Sequence, residues 1–202
     1  MDKITQLFPT PFLISQLDVT YNVLEFANYL NYHRTEISYV SEDKHVLDYP
    51  CMLPFKDHIE TKVQEYFYDV CGMDRCAVPI ITTSWINLHR KGDYNETHIH
   101  YNSVLSGVWY LSVTENTGDF IFIREDSGLF GNTFSFSFQQ EKINQFNSQL
   151  AAFIPQVGDL FIFPSCMKHR VGVNLEEYDR FTLAFNCLVK GSVESEGVEI
   201  LI

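Results

Sequence analysis

The chain has little that would place it in a membrane or on nucleic acid. No apolar run is long enough to span a bilayer and no signal-peptide pattern opens the sequence, so a cytoplasmic protein is expected. Basic residues are scarce: 14 Lys and Arg stand against 26 Asp and Glu, and the formal charge of −12 argues against a general affinity for a phosphate backbone, a local basic groove aside. Cysteine is sparse too, with five residues. Cys51, Cys71, Cys76, Cys166 and Cys187 form no CxxC pair and are odd in number, which predicts reduced thiols. Each reads as a buried small hydrophobe, with Cys166 notable only for its closeness to His169. Without a secretory signal, the acceptor pattern Asn95-Glu96-Thr97 reads as coincidence. No internal repeat is visible.

What the chain does have is apolar and aromatic. At 202 residues and 46% hydrophobic content it can bury one substantial core, which favours a single domain over 1–202. Seventeen Phe and eleven Tyr suit strands that pack aromatic side chains. In the N-terminal third, Val23, Phe26, Ala27 and Leu30 recur at helical spacing after the possible caps Asp18 and Thr20, predicting a helix over about 19–33. Phe55, Ile59, Val63, Tyr66, Phe67 and Val70 predict a second helix, ended by Gly72. Residues 1–75 thus read as a helical buttress, and 80–202 as a succession of strands. Between two of those strands lies the 127–156 segment, rich in Phe, Gln and Asn. It reads as a lid or substrate wall, as an added hairpin around Phe130, Phe134, Phe136 and Phe138, or as a subunit contact in a homo-oligomer.

The densest chemical signal is Thr97-His98-Ile99-His100. Residues two apart on a strand share a face, so His98 and His100 can serve one metal. A third ligand must come from elsewhere, and His169 follows the apolar strand Gly158-Asp159-Leu160-Phe161-Ile162-Phe163 that Pro164 ends. Three protein ligands leave positions open for substrate and oxygen. Downstream, strict alternation from Arg180 puts Arg180, Thr182, Ala184 and Asn186 on one strand face and Phe181, Leu183, Phe185 and Cys187 on the other. A face carrying a cation, a hydroxyl and an amide fits a barrel interior that holds a small acid, since Arg offers a planar charged fork to a carboxylate. His33, His45 and His58 read as surface or capping residues. His89 shares its strand face with Trp85 and Asn87 and reads as a packing or supporting residue.

The run Ser84-Trp85-Ile86-Asn87, Lys91-Gly92-Asp93-Tyr94-Asn95, His98-Ile99-His100, Ser106-Gly107-Val108-Trp109-Tyr110-Leu111, Gly118-Asp119-Phe120, then Gly158-Asp159-Leu160, Phe163-Pro164-Ser165, His169, Arg180 and Phe185-Asn186 resembles the 2-oxoglutarate/Fe(II) oxygenases of marine bacteria and their phages. Leu7-Phe8-Pro9-Thr10-Pro11-Phe12 resembles that family's opening. The resemblance implies a mainly β protein with N-terminal helices, folded as a double-stranded β-helix, a jelly roll related to the cupins. It implies the cofactors Fe(II) and 2-oxoglutarate, with His98, His100 and His169 as ligands and Arg180 on the distal carboxylate. Thr182, Tyr110, Asn186 and Asn87 are candidate hydrogen-bonding residues of the pocket wall. The partners would be 2-oxoglutarate, oxygen and an unidentified substrate, in the host cytoplasm if the protein is phage-encoded.

His100 departs from the wider superfamily, which usually has Asp or Glu there. The change removes one negative charge and predicts weaker Fe(II) retention. Two other readings stay open: a three-histidine cupin-type dioxygenase that does not use 2-oxoglutarate, and a non-catalytic module in which a metal only ties strands together.

Overall fold

The alternation that begins near Ile80 becomes two antiparallel sheets in the computed structural model, which describes residues 2–125, 139–192 and 199–200. The larger sheet runs β1 (Leu13–Gln16), β9 (Asp159–Pro164), β6 (Leu105–Ser112), β11 (Arg180–Ser192), β4 (Ala77–His89), β3 (Tyr39–Ser41), β2 (Tyr32–Arg34), with β12 (Glu199–Ile200) paired to β11. The smaller runs β5 (Asn95–His98), β10 (His169–Val171), β7 (Phe120–Ile123), β8 (Leu150–Phe153).

Two apolar layers cover the two faces of the larger sheet. Its outer face is formed by Phe181, Leu183, Phe185 and Cys187 of β11 with Trp109 and Leu111 of β6, and packs against Ile59, Val63 and Tyr66. Those three belong to α2 (Leu53–Gln64) and to the wider helical turn Glu65–Val70 that continues it. Trp109 locks the two together: its ring stacks on Phe55 with centroids 5.1 Å apart, and its Nε1 donates to the Leu17 carbonyl at 2.9 Å. Full burial of side chains of this size contributes about 1.5–3 kcal/mol each, which anchors the helix to the sheet. The inner layer lies between the sheets, where Val108, Tyr110, Phe161 and Phe163 meet Phe120 and Phe122 of the smaller one. Gly107 lets strands approach closely. A Cβ there would stand 2.2 Å from Cζ of the fully buried Phe185 and 2.8 Å from the Phe161 carbonyl oxygen.

The second helix ends as expected, with Gly72 at φ +69°. The N-terminal third is otherwise less helical than the periodicity predicts. α1 covers only Tyr21–Tyr29, because Leu30 is extended and the chain turns into β2, whose Tyr32 hydroxyl donates to the Ala27 carbonyl at 2.7 Å. Thr20 is its N-cap but makes no side-chain capping hydrogen bond. Besides the two helices, this region supplies β1, β2 and β3 to the larger sheet. Of the 127–156 segment, Leu150–Phe153 forms β8 on β7 and is strand, not loop. The expected hairpin around Phe130, Phe134, Phe136 and Phe138 lies outside the described residues. The thiols also differ from expectation: Cys187 is buried and Cys71 half-buried, whereas Cys51, Cys76 and Cys166 are exposed, and none forms a disulfide.

Candidate metal centre

His98 and His169 are direct cross-strand partners in the β5–β10 pair, so the pleat brings both rings to one side. His100 reaches them differently than strand alternation predicts. β5 ends at His98, and the His100 N–H donates to the Ser165 carbonyl at 3.1 Å, drawing the chain back toward the turn before His169. The three rings still converge. One ligand nitrogen from each lies within 4.8 Å of the others, and Nε2 of His100 is 3.3 Å from Nε2 of His169. Two nitrogens sharing one metal at about 2.0–2.1 Å would sit about 3 Å apart, so the cluster is close to a binding geometry.

Local hydrogen bonds set the ring tautomers. Nδ1 of His98 is 2.7 Å from the Glu96 carbonyl oxygen, and Nδ1 of His169 is 2.8 Å from that of Met167. A carbonyl only accepts, so each Nδ1 carries the proton and each Nε2 presents its lone pair inward. Burial pushes His100 down to about 4 and His169 down to about 3, the latter opposed in part by its bond to Met167 and helped by the other two histidines. Both are therefore neutral at physiological pH, the form that binds a metal. Phe120 stacks on His169 at 5.2 Å and Phe163 meets it at 5.0 Å, which restricts its ring orientation.

The triad opens on a cavity of about 480 Å³, mouth included, that runs to Arg180 on β11. Arg180 is 1% exposed. Its Nη1 donates to the Thr117 and Gly118 carbonyls, both at 3.1 Å, while Nε has no partner. Burial lowers its pKa, with Tyr110 and Asp119 acting in the other direction. Among the described residues no carboxylate forms an ion pair with it, although an unpaired buried charge carries a penalty of several kcal/mol. The Tyr110 ring lies under the guanidinium at 5.3 Å, and its fully buried hydroxyl is also unpartnered. Among the described residues, no acidic side chain lines this cavity. Two neutral histidines beside a buried cation, with no ion pair to that cation and no acidic lining residue among the described residues, make a cavity suited to an anion.

The wall residues expected from the sequence separate into two groups. Thr182, Tyr110 and Asn87 line the cavity together with Arg180, whereas Asn186 is not among the lining residues and its Oδ1 accepts from Ser106 Oγ at 2.8 Å. Trp85 lines the wall and donates from Nε1 to Asn87 Oδ1 at 3.1 Å. His89 is 1% exposed, also faces the cavity, and hydrogen-bonds through Nε2 to Asn95 Oδ1, leaving Nδ1 unpartnered. Burial, and then Arg180, hold His89 down to about 4. Asn95 is the lining residue that alternation misses. It is three positions from His98 and would face away on a regular strand, but the β5–β10 register shifts so that Val171 pairs with Asn95 and His169 with His98. That bulge brings both side chains to the cavity.

Residues 83–186, more than half of the chain, match the model of a family described as "Putative 2OG-Fe(II) oxygenase". No curated protein matches the sequence. Among solved structures the chain is similar to an oxidoreductase of the 2OG-Fe(II) oxygenase family from Burkholderia pseudomallei, at 15% identity over 82% of this chain and 75% of that one, TM-score 0.56. It is similar to the non-heme alpha ketoglutarate dependent epimerase SnoN from nogalamycin biosynthesis, at 13% identity over 89% and 78%, TM-score 0.63. It is likewise similar to HygX from Streptomyces hygroscopicus with nickel, 2-oxoglutarate and hygromycin B bound, at 13% identity over 88% and 82%, TM-score 0.58. At such identities these neighbours speak for the shared, mostly antiparallel β fold, while the family match covers the same stretch as the three histidines and Arg180. The chain belongs to the 2OG-Fe(II) oxygenase family.

Proposed function

We propose that this protein is an Fe(II)- and 2-oxoglutarate-dependent oxygenase in which His98, His100 and His169 hold the iron and Arg180, with Tyr110 and Thr182, receives the far carboxylate of 2-oxoglutarate. The observation that carries the reading is the fully buried Arg180, without an ion-pair partner among the described residues, lining the same cavity as the histidine triad. A metal that merely tied strands together would need no such cation, and a three-histidine dioxygenase without a diacid co-substrate would leave it uncompensated.

Iron and 2-oxoglutarate, when bound, supply oxidation of a substrate by oxygen coupled to decarboxylation of the keto acid. The chain supplies geometry. His98 and His169 keep their Nε2 lone pairs inward through their bonded Nδ1 protons. Arg180 offers a pre-placed charge that costs no reorganisation on binding, and the aromatic wall of Phe120, Phe163 and Trp85 limits water around the triad. Strand order supports a double-stranded β-helix over a single domain. The chain from β4 to β11 divides its eight strands between the sheets, β9-β6-β11-β4 in one and β5-β10-β7-β8 in the other. The five unpaired thiols, three of them exposed, favour a reducing, cytoplasmic setting.

The test is an anaerobic titration of metal-free protein with Fe(II) and then 2-oxoglutarate, following the weak visible band that a chelated 2-keto acid gives with Fe(II). Appearance of the band, and its loss in His169→Ala, is the expected result. Bound iron with no band on adding the keto acid would reject the co-substrate assignment.

A further inference from the structure

Among the described residues, three neighbouring strands each bring to the cavity lining a residue with a buried, unpartnered polar atom: Arg180 Nε on β11, the Tyr110 hydroxyl on β6 and His89 Nδ1 on β4. The strand order is β6-β11-β4, and Arg180 is the register partner of His89 while Thr182 is that of Tyr110. The cation is therefore flanked on both sides. Buried orphans are rare because each costs about 1–3 kcal/mol, so three on adjacent lining residues of one cavity point to a ligand that satisfies all of them.

Arg180 Nε can only donate and the Tyr110 hydroxyl can donate. His89 is the group whose role is undecided by type. With Nε2 donating to Asn95 Oδ1, Nδ1 would be a bare acceptor facing a site otherwise made of donors. Turning the Asn95 amide by half a rotation exchanges its oxygen for its NH2 without changing its shape. Nε2 then accepts from Asn95, and the ring proton, exchanged through solvent while the site is open, resides on Nδ1.

We propose that His89 is a third donor to the far carboxylate of the co-substrate, with Asn95 selecting the Nδ1–H tautomer when that carboxylate is present. This rests on the 2-oxoglutarate reading above. It assigns a direct role to a histidine outside the metal triad and makes Asn95, on the strand that carries His98, the positioning residue behind it. The carboxylate's two oxygens offer about four lone-pair sites, enough for Arg180, Tyr110 and His89 together.

Binding to Zn(II)-loaded protein, measured by calorimetry, separates the possibilities without turnover. Two ligands are compared: 2-oxoglutarate, and 2-oxopentanoate, which keeps the keto-acid end and lacks the far carboxylate. His89→Phe is expected to weaken 2-oxoglutarate about tenfold to a hundredfold, the usual worth of a hydrogen bond to a charged group, and to leave 2-oxopentanoate and zinc content unchanged. His89→Gln, whose amide can donate, should recover most of the loss. Nitrogen-15 NMR of the histidine rings in the wild type should show His89 as Nδ1–H once 2-oxoglutarate is added. Equal weakening of both ligands, or an Nε2–H ring that does not respond to 2-oxoglutarate, would overturn the proposal. If the wild type binds neither ligand, the co-substrate reading itself falls; if it binds 2-oxoglutarate and His89→Phe binds it equally well, only the role of His89 does.

Discussion

Replacing Arg180 by Met tests the electrostatic logic of the site most directly, because its effects on stability and on binding diverge. In the free protein the change orphans the Thr117 and Gly118 carbonyls, which now accept from Nη1, at roughly 1–3 kcal/mol each. Against this, it removes a fully buried cation with no ion-pair partner among the described residues, whose desolvation costs several kcal/mol and is offset only in part by Asp119. The two contributions are of similar size and opposite sign, so the melting temperature should move by only a few degrees. Binding has no such offset: taking away one partner of a buried charge pair costs about 2–5 kcal/mol, a rise in Kd of about thirtyfold to several thousandfold. Metal content should stay near normal, since Arg180 is not among the clustered ligand residues. The assays are calorimetric titration of Zn(II)-loaded variant and wild type with 2-oxoglutarate, metal analysis, and a thermal melt. Parallel loss of metal and keto acid would show a folding defect, and unchanged 2-oxoglutarate affinity would refute the role of Arg180.

Other expectations concern the triad, the pH response and the core. His98→Ala and His169→Ala should each abolish stoichiometric metal retention, read by elemental analysis after gel filtration. His100→Asp should retain metal more tightly and 2-oxoglutarate less tightly, because it places a negative charge in a cavity that no acidic side chain lines among the described residues; weaker metal binding would contradict this. In metal-free protein His89, His100 and His169 are held by burial at about 4, about 4 and about 3, against an ordinary 6.5. Below about pH 6.5 the unfolded chain takes up protons that the folded chain refuses. Stability is thus complete above that pH and lost as pH falls toward about 4, by roughly 1.4 kcal/mol per pH unit per histidine. A urea midpoint that stays flat from about pH 7.5 to about pH 5 would oppose it. Gly107→Ala should destabilise by about 1–3 kcal/mol through overpacking against Phe185, read from the same urea midpoint.

How much of this was legible in the sequence varies with the regularity of the strand. Along β11 alternation places Arg180, Thr182 and Ala184 on the cavity lining and Phe181, Leu183 and Phe185 in the apolar layer behind it, so the pattern alone separates the two faces over that stretch. The candidate histidines were legible as residue types with suggestive spacing, although His100 arrives by a loop rather than by strand geometry. Asn95 was not legible, because the β5 bulge breaks the period of two that the reading depends on. Asn186 was misleading for a related reason. It sits beside the bulge where β11 shifts register on β4, and its amide is engaged by Ser106. The strands β1, β2, β3 and β8 are three or four residues long and take their definition from a neighbour in the sheet rather than from their own composition. A short edge segment carries too few residues for any period to show.

The metal-ligand candidates belong to the smaller sheet and the turn beside it, while Arg180 belongs to the larger one. Each sheet is internally stitched by backbone hydrogen bonds, and much of the space between them is filled by packed rings such as Phe120 and Phe122 against Phe161 and Phe163. The thickness of that aromatic filling therefore fixes the distance from triad to guanidinium. In the proposed assignment the sandwich acts as a ruler for diacids, set by residues that touch no ligand. Thinning the filling at Phe161 would shorten the ruler, shifting preference toward a four-carbon keto diacid such as oxaloacetate, without a change in any polar group.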